Sequence, residues 1–156
     1  MAASQVADCV LCQETGGLPV WQGAQMRVIR ATEAGFPGFY RVIWTAHAAE
    51  LSDLSEGDRH RCMAVVAEVA RVLRVRLQPT KINLAALGNM VPHLHWHVIA
   101  RYDWDSHFPA SVWASPLRAR DLAREAQLQQ ELAACDAAIA HALAGWSEKM
   151  GAACAE

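Results

Sequence analysis

Apolar and polar positions along the chain fall into a succession of short patterns that lay out most of its secondary structure. Leu18 to Trp21 and Gln25 to Ala31 predict two short strands, the second with Met26 and Val28 on one side of an alternating pattern. The breaker-rich stretch Glu33-Ala34-Gly35-Phe36-Pro37-Gly38 separates them from a third strand. That strand, Phe39 to Trp44, is rich in aromatic and β-branched residues. The period then changes. Ser55 with Asp58 three residues on resembles a capping box. Met63, Val66, Ala70, Leu73 and Leu77 recur at helical spacing as far as the stop Gln78-Pro79. Lys81 to Leu87 and His93 to Arg101 predict two more strands. Only Gly88-Asn89-Met90-Val91-Pro92 joins them, so they are expected to be antiparallel neighbours.

Beyond the polar, tryptophan-bearing loop Tyr102 to Ala114, Ser115-Pro116 predicts the start of a second helix. Its apolar stripe is Leu128, Leu132, Cys135, Ile139, Leu143 and Trp146. Strands grouped apart from helices predict an α+β fold with an antiparallel sheet. The second stripe is longer than a small sheet needs for cover, so part of it is expected to face a partner subunit in a homodimer.

Composition narrows the class. The 156 residues suit one domain, and 53% hydrophobic content marks a globular chain. A net charge of −2 argues against a dedicated nucleic-acid binder, whose footprint is basic. No apolar run approaches the roughly 18 residues needed to span a bilayer, and the N-terminus lacks the pattern of a secretory signal. Five irregularly spaced cysteines, Cys9, Cys12, Cys62, Cys135 and Cys154, fit a reducing compartment. A cytoplasmic protein with no membrane or nucleic-acid partner is the expectation.

The segment Pro92-His93-Leu94-His95-Trp96-His97-Val98-Ile99 carries the chemistry. Three of the chain's seven histidines fall within five residues. In a strand, His93, His95 and His97 would share one face and Leu94, Trp96 and Val98 the core-facing other. Imidazoles in such a row point either to a metal site or to phosphoryl chemistry with one ring as nucleophile. The aspartate that a His-x-His-x-Asp-His metallo-hydrolase needs is absent, and no glutamate stands where a cupin-like site would want one.

The alternation of histidine with apolar residues, led in by Gly88-Asn89-Met90-Val91, resembles the signature of the histidine-triad (HIT) nucleotide hydrolases and transferases. The stretch Gly35 to His47 and the run Leu51-Ser52-Asp53-Leu54 extend the resemblance, which covers roughly residues 9 to 101. It implies a HIT-like sheet of about five antiparallel strands with helices on one side and usually a two-fold dimer. Residues 1–114 would form the histidine-triad domain and 115–156 its C-terminal helical extension.

The resemblance also implies a function: a nucleotide-phosphate hydrolase or nucleotidyl transferase. Its substrate would be a nucleoside phosphate ester, anhydride or phosphoramidate. His95 would attack the α-phosphorus to form a nucleotidyl-histidine that water hydrolyses. His97 would donate to a phosphate oxygen, and His93 completes the catalytic set as a relay. Asn83 and Asn89 are the candidate substrate-binding amides, against roles at a strand edge and in a turn. Met90 stands where many relatives have serine or threonine. The ribose-reading acid of some relatives would fall near Ala31, with Thr32 and Glu33 the nearest polar residues. Cys9-Val10-Leu11-Cys12 has the spacing of a zinc-gripping pair. His47 and His93 resemble the other two ligands of zinc-bearing relatives, against a pair of reduced cysteines at a free end. A structural zinc on Cys9, Cys12, His47 and His93 would preclude a relay by His93. Two alternatives stand beside the enzyme: a binding module of the same fold with little turnover, and a metal-dependent hydrolase using the triad as ligands.

Overall fold

The computed structural model describes residues 5–146; Cys154 and the end of the C-terminal extension lie outside them. One antiparallel sheet organises the chain. Its strands are β1 (Leu18–Gln22), β2 (Met26–Arg30), β3 (Phe39–Trp44), β4 (Lys81–Ala85) and β5 (His95–Arg101). Their spatial order is β1-β2-β3-β5-β4. A short helix α1 (Val10–Gln13) precedes them, α2 (Glu56–Leu77) links β3 to β4, and α3 (Leu122–Ala144) ends the described chain.

The turn between β4 and β5 needs Gly88, whose φ of +72° is the left-handed conformation that favours glycine. Gly38 has a different reason. A Cβ there would lie 2.9 Å from that of Ala100, so glycine lets the start of β3 pack against β5.

The cap on α2 is as the sequence predicts: Ser55 Oγ accepts from the Asp58 N–H at 3.2 Å. The buried face is wider than predicted. It includes Cys62, Val65, Val69 and Val72 besides Val66, Leu73 and Leu77. The helix is covered on two sides, by the sheet and by α3, so one narrow stripe is not enough.

The C-terminal helix corrects one expectation. It starts at Leu122, not at Ser115-Pro116, because Asp121 caps the Arg124 N–H at 3.0 Å. Leu117 and Arg118 donate instead to Ser106 O, which fastens that segment to the preceding loop. The stripe Leu128, Leu132, Cys135, Ile139 and Leu143 is buried inside the chain against α2 and the sheet, with Trp146 half-buried at its end. Among the described residues no helix is long and apolar enough to cross a membrane.

Both faces of the sheet are covered. Val28, Tyr40, Val42, Val98 and Ala100 meet the helices in the larger core. Ile29, Phe39, Ile43 and Ile99 form a smaller cluster on the other face, under Leu11 of α1 and Phe36. The site lies on this second face.

Candidate active site and metal cluster

Strand β5 begins at His95, two residues later than the histidine pattern suggests. Leu94 and Val98 are buried in the larger core, and Trp96 packs against it half-buried. Their packing fixes the strand, and that turns His95 and His97 to the opposite face. The two rings meet edge to face with centroids 4.9 Å apart. His93 does not join them. It precedes the strand, where its N–H closes a tight turn onto Val91 O at 2.8 Å, and its fully buried ring points into the cysteine cluster.

His93 nevertheless acts on His95 through its backbone. His95 Nδ1 lies 2.5 Å from the His93 carbonyl oxygen. A carbonyl only accepts, so Nδ1 carries the hydrogen and the lone pair is on Nε2. Burial pushes the His95 imidazole below its usual pKa, outweighing that hydrogen bond, and the Arg41 charge adds to the shift. A neutral ring with a free Nε2 is the reactive form of a nitrogen nucleophile.

His97 has the reverse tautomer. Arg41 Nε–H reaches its Nδ1 at 3.4 Å, so the N–H is on Nε2. Desolvation, with the neighbouring His95 and the Arg41 charge, pushes its pKa down to about 4. His97 is therefore a neutral hydrogen-bond donor at pH 7. Phe39 and Trp113 both stand edge-on to its ring, at centroid distances of 5.4 and 5.1 Å.

His95 and His97 open onto a cavity of about 720 Å³ that Arg41, Asn89, Met90 and Trp113 also line. Asn83 is not among its lining residues; on β4, its Oδ1 accepts from Arg101 at 2.8 Å. Arg41 and Trp113 were not singled out from the sequence. Arg41 had a signal: it is the one charge inside the otherwise apolar run Phe39 to Trp44. Trp113 had none, because only the fold of the loop brings it to the site. Glu33 is paired with Arg41 at 3.0 Å. Ala31 is buried in the smaller cluster.

Beside this cavity, the side chains of Cys9, Cys12, His47 and His93 converge, each offering one ligand atom, with all four atoms within 4.8 Å of one another. Nδ1 of His93 lies 3.3 Å from Cys9 Sγ and 3.5 Å from Cys12 Sγ, and His47 Nδ1 lies 3.5 Å from Cys12 Sγ. A tetrahedral zinc with usual bond lengths sets its sulfur and nitrogen ligands about 3.6 Å apart, so the residues fit that metal. The orientation fits too. His93 Nε2–H donates to Trp44 O at 2.6 Å, which leaves the Nδ1 lone pair facing the sulfurs. Burial raises the Cys12 thiol above its ordinary pKa, so a bound metal would have to displace its proton. Arg27 steadies the segment by donating to the carbonyls of Leu11, Glu14 and Thr15. Among the described residues, this is the group of histidines, cysteines and carboxylates whose geometry suits a metal, and His95 and His97 are outside it.

Comparison with known proteins agrees with this architecture. The sequence matches the HIT domain over residues 19–104. An AP-4-A phosphorylase of Mycobacterium tuberculosis is 27% identical over 105 residues, which cover 64% of this chain and 54% of that protein. The chain thus spans about half the length of the curated relatives it matches. A histidine triad protein from Bradyrhizobium japonicum superposes with a TM-score of 0.63 at 27% identity, covering 83% of this chain and 98% of its own. A Zn-bound histidine triad family protein from Mycobacterium smegmatis shares the fold with a TM-score of 0.57 at 23% identity, covering 84% and 97%.

Proposed function

The chain belongs to the HIT family, and on that premise we propose that it is a nucleotide-phosphate hydrolase or nucleotidyl transferase working through a covalent intermediate on His95. The observation that carries this reading is the hydrogen bond from His95 Nδ1 to the His93 carbonyl, which leaves Nε2 unprotonated on a ring that lines the cavity.

In this reading, Nε2 attacks the α-phosphorus of a nucleoside phosphate. A phosphorus–nitrogen bond forms as the bond to the leaving group breaks, and the leaving group departs with the bonding pair and takes a proton from water. His97 Nε2–H and the Arg41 guanidinium stabilise the charge on the phosphate oxygens, and the Asn89 amide supplies a further donor at the turn. Water then attacks the nucleotidyl-histidine, releases the nucleoside monophosphate and restores neutral His95. A second acceptor in place of water makes the same reaction a transfer.

Cys9, Cys12, His47 and His93 would hold a structural zinc, which supplies a cross-link and no reacting group. That cross-link fastens α1, whose Leu11 lines the cavity, to the sheet. A homodimer belongs to the same reading. It predicts a light-scattering mass of twice the 17.1 kDa of one chain.

The deciding experiment uses adenosine phosphoramidate labelled at the phosphorus. Quenching without acid should leave label on the protein, on His95 by mass spectrometry. Turnover with no label trapped and no loss in His95→Ala would reject the covalent route.

A further inference from the structure

Two segments far from the histidine strand in sequence wall the His95 cavity, and different chemistry holds each in place. On one side is the loop bearing Trp113. The buried Arg101 guanidinium bonds both carboxylate oxygens of Asp105, at 2.8 and 3.0 Å, and the Ala110 carbonyl at 2.9 Å. Asp105 in turn accepts from the backbone N–H groups of His107 and Phe108. Nothing in this frame reacts with an oxidant. On the other side are Val10, Leu11 and the run Glu14 to Gly17, which belong to α1 and the segment after it. Their tie to the sheet runs through Cys9, Cys12, His47 and His93, and two of those four donors are thiols.

The two thiols are also placed to react with each other. Cys9 is the N-cap residue of α1, and the Cys12 N–H donates to the Cys9 carbonyl at 3.0 Å, which closes one turn. The two sulfurs lie within 4.8 Å of each other. Cβ atoms three residues apart on a helical turn are about 5–6 Å apart and a disulfide needs about 4 Å, so closure takes a shift of about 1–2 Å. Cys12 is half-buried, within reach of a small oxidant, and Cys9 is buried beside it. The other described cysteines, Cys62 and Cys135, sit in the larger core, where burial pushes their thiols up to about 11. That makes them poor nucleophiles.

Going beyond the reaction at His95, we propose that Cys9 and Cys12 form a site of reversible oxidation by hydrogen peroxide, and that their disulfide unties α1 from the sheet and loosens that wall of the cavity. The Cys12 thiolate attacks one peroxide oxygen. The O–O bond breaks, a sulfenic acid forms, and the departing hydroxide takes up a proton to become water. The Cys9 thiolate then attacks the sulfenic sulfur. The S–S bond forms, the S–O bond breaks, and the second hydroxide likewise leaves as water. Two thiolates, one peroxide and two protons thus become one disulfide and two waters.

A covalent bond is gained, yet long-range cross-linking is lost. The cluster joins residues 35 to 84 positions apart, whereas the disulfide closes only one helical turn. A cross-link stabilises in proportion to the loop it closes, so the short one does not replace the long ones. A zinc ion at this site would lose both sulfur ligands. His93 keeps its bond to the Trp44 carbonyl, so the loosening falls on α1 and leaves the histidine strand in place.

The test needs no variant. Full-length, zinc-loaded protein is treated with hydrogen peroxide. It is followed by a colorimetric zinc indicator, by mass spectrometry of the tryptic peptide ending at Arg27, and by a melting curve. One zinc should be released for each disulfide formed within that peptide. The melting temperature should fall to that of chelator-stripped protein, and a dithiol with added zinc should restore both. Amide exchange should quicken over Val10–Gln13 and stay unchanged over His95–Arg101. Zinc release without the Cys9–Cys12 disulfide, a disulfide from either residue to Cys154, or an oxidised protein that melts with the zinc form would overturn the proposal. So would a chain that takes up no zinc. None of these readouts depends on turnover, so a failure of the His95 reaction leaves the oxidation site standing.

Discussion

Arg41 stands directly across from His97 in the β3–β5 register, and its guanidinium keeps that imidazole company as a positive neighbour. The pairing gives the site a fixed positive charge and at the same time resists protonation of His97. Burial is the larger cause of the depressed pKa, with His95 and Arg41 adding to it.

A pH prediction follows from that shift. The unfolded chain binds a proton at His97 near the ordinary 6.5, whereas the folded chain binds it only near about 4. Between these values the unfolded state holds more protons, so the contribution of His97 to stability is present above 6.5 and is lost as pH falls toward about 4. Arg41→Met removes a repulsive charge and raises the folded pKa. NMR titration of the histidine rings should show the His97 resonance moving at higher pH in that variant. An unchanged titration would mean that burial and His95 set the shift unaided.

The metal cluster gives a second prediction. Protein purified without chelator should carry close to one zinc per chain, and Cys9→Ser with Cys12→Ser should carry none. Losing the cross-link should lower the melting temperature, because the free energy of metal binding is contributed to the folded state. Metal analysis and a melting curve on the same sample check both. A zinc-free wild type with the melting temperature of the double variant would remove the site.

Much of this arrangement was legible in the sequence because it rests on local pattern. The alternation about His95 and His97, the Ser55 cap and the β4–β5 turn are all set by neighbours in the chain. The parts that were not legible depend on distant contacts. His93 belongs to the histidine pattern by spacing, yet its ring leaves the strand because the cysteine pair and the Trp44 carbonyl, far away in sequence, give it partners. Ser115-Pro116 had the composition of a helix start, but the Ser106 carbonyl claims the N–H groups of Leu117 and Arg118 first. Trp113 reaches the site through the Arg101–Asp105 frame, which no periodicity announces.

That frame is open to a direct test. The Arg101 and Asp105 side chains are 1% and 3% exposed, so each charge is compensated by the other and by the loop backbone, with Asn83 Oδ1 as a further acceptor for Arg101. Arg101→Met would leave the carboxylate buried with only N–H donors, and losing one partner of such a pair costs about 3–5 kcal/mol. Denaturant unfolding should show a loss of this size. A loss under about 1 kcal/mol, the usual figure for an exposed pair, would mean that the loop relaxes and admits water.

The most discriminating predictions concern His95 and His97, which the structure equips differently. His95 has its lone pair on Nε2 and its Nδ1–H committed to a backbone carbonyl, which suits it to attack in the proposed reaction. His97 has its Nδ1 turned to Arg41 and its N–H on Nε2, which suits it to donate in the proposed reaction. Neither ring is part of the metal cluster, and Leu94 and Val98 hold the strand from its other face. His95→Ala should therefore keep its fold and still bind a nucleoside monophosphate, while turnover falls by several orders of magnitude, as happens when a nucleophile is removed. His97→Ala should still form the covalent adduct, but more slowly, because a single donor to a charged transition state contributes roughly 3 kcal/mol, about a hundredfold in rate. Single-turnover kinetics with the labelled phosphoramidate distinguish the two. Label should accumulate slowly on His97→Ala and be absent from His95→Ala. If both variants trap label equally, Nε2 of His95 is not the attacking atom. If His95→Ala turns over near the wild-type rate, the histidine-triad mechanism does not operate in this protein, whatever its fold.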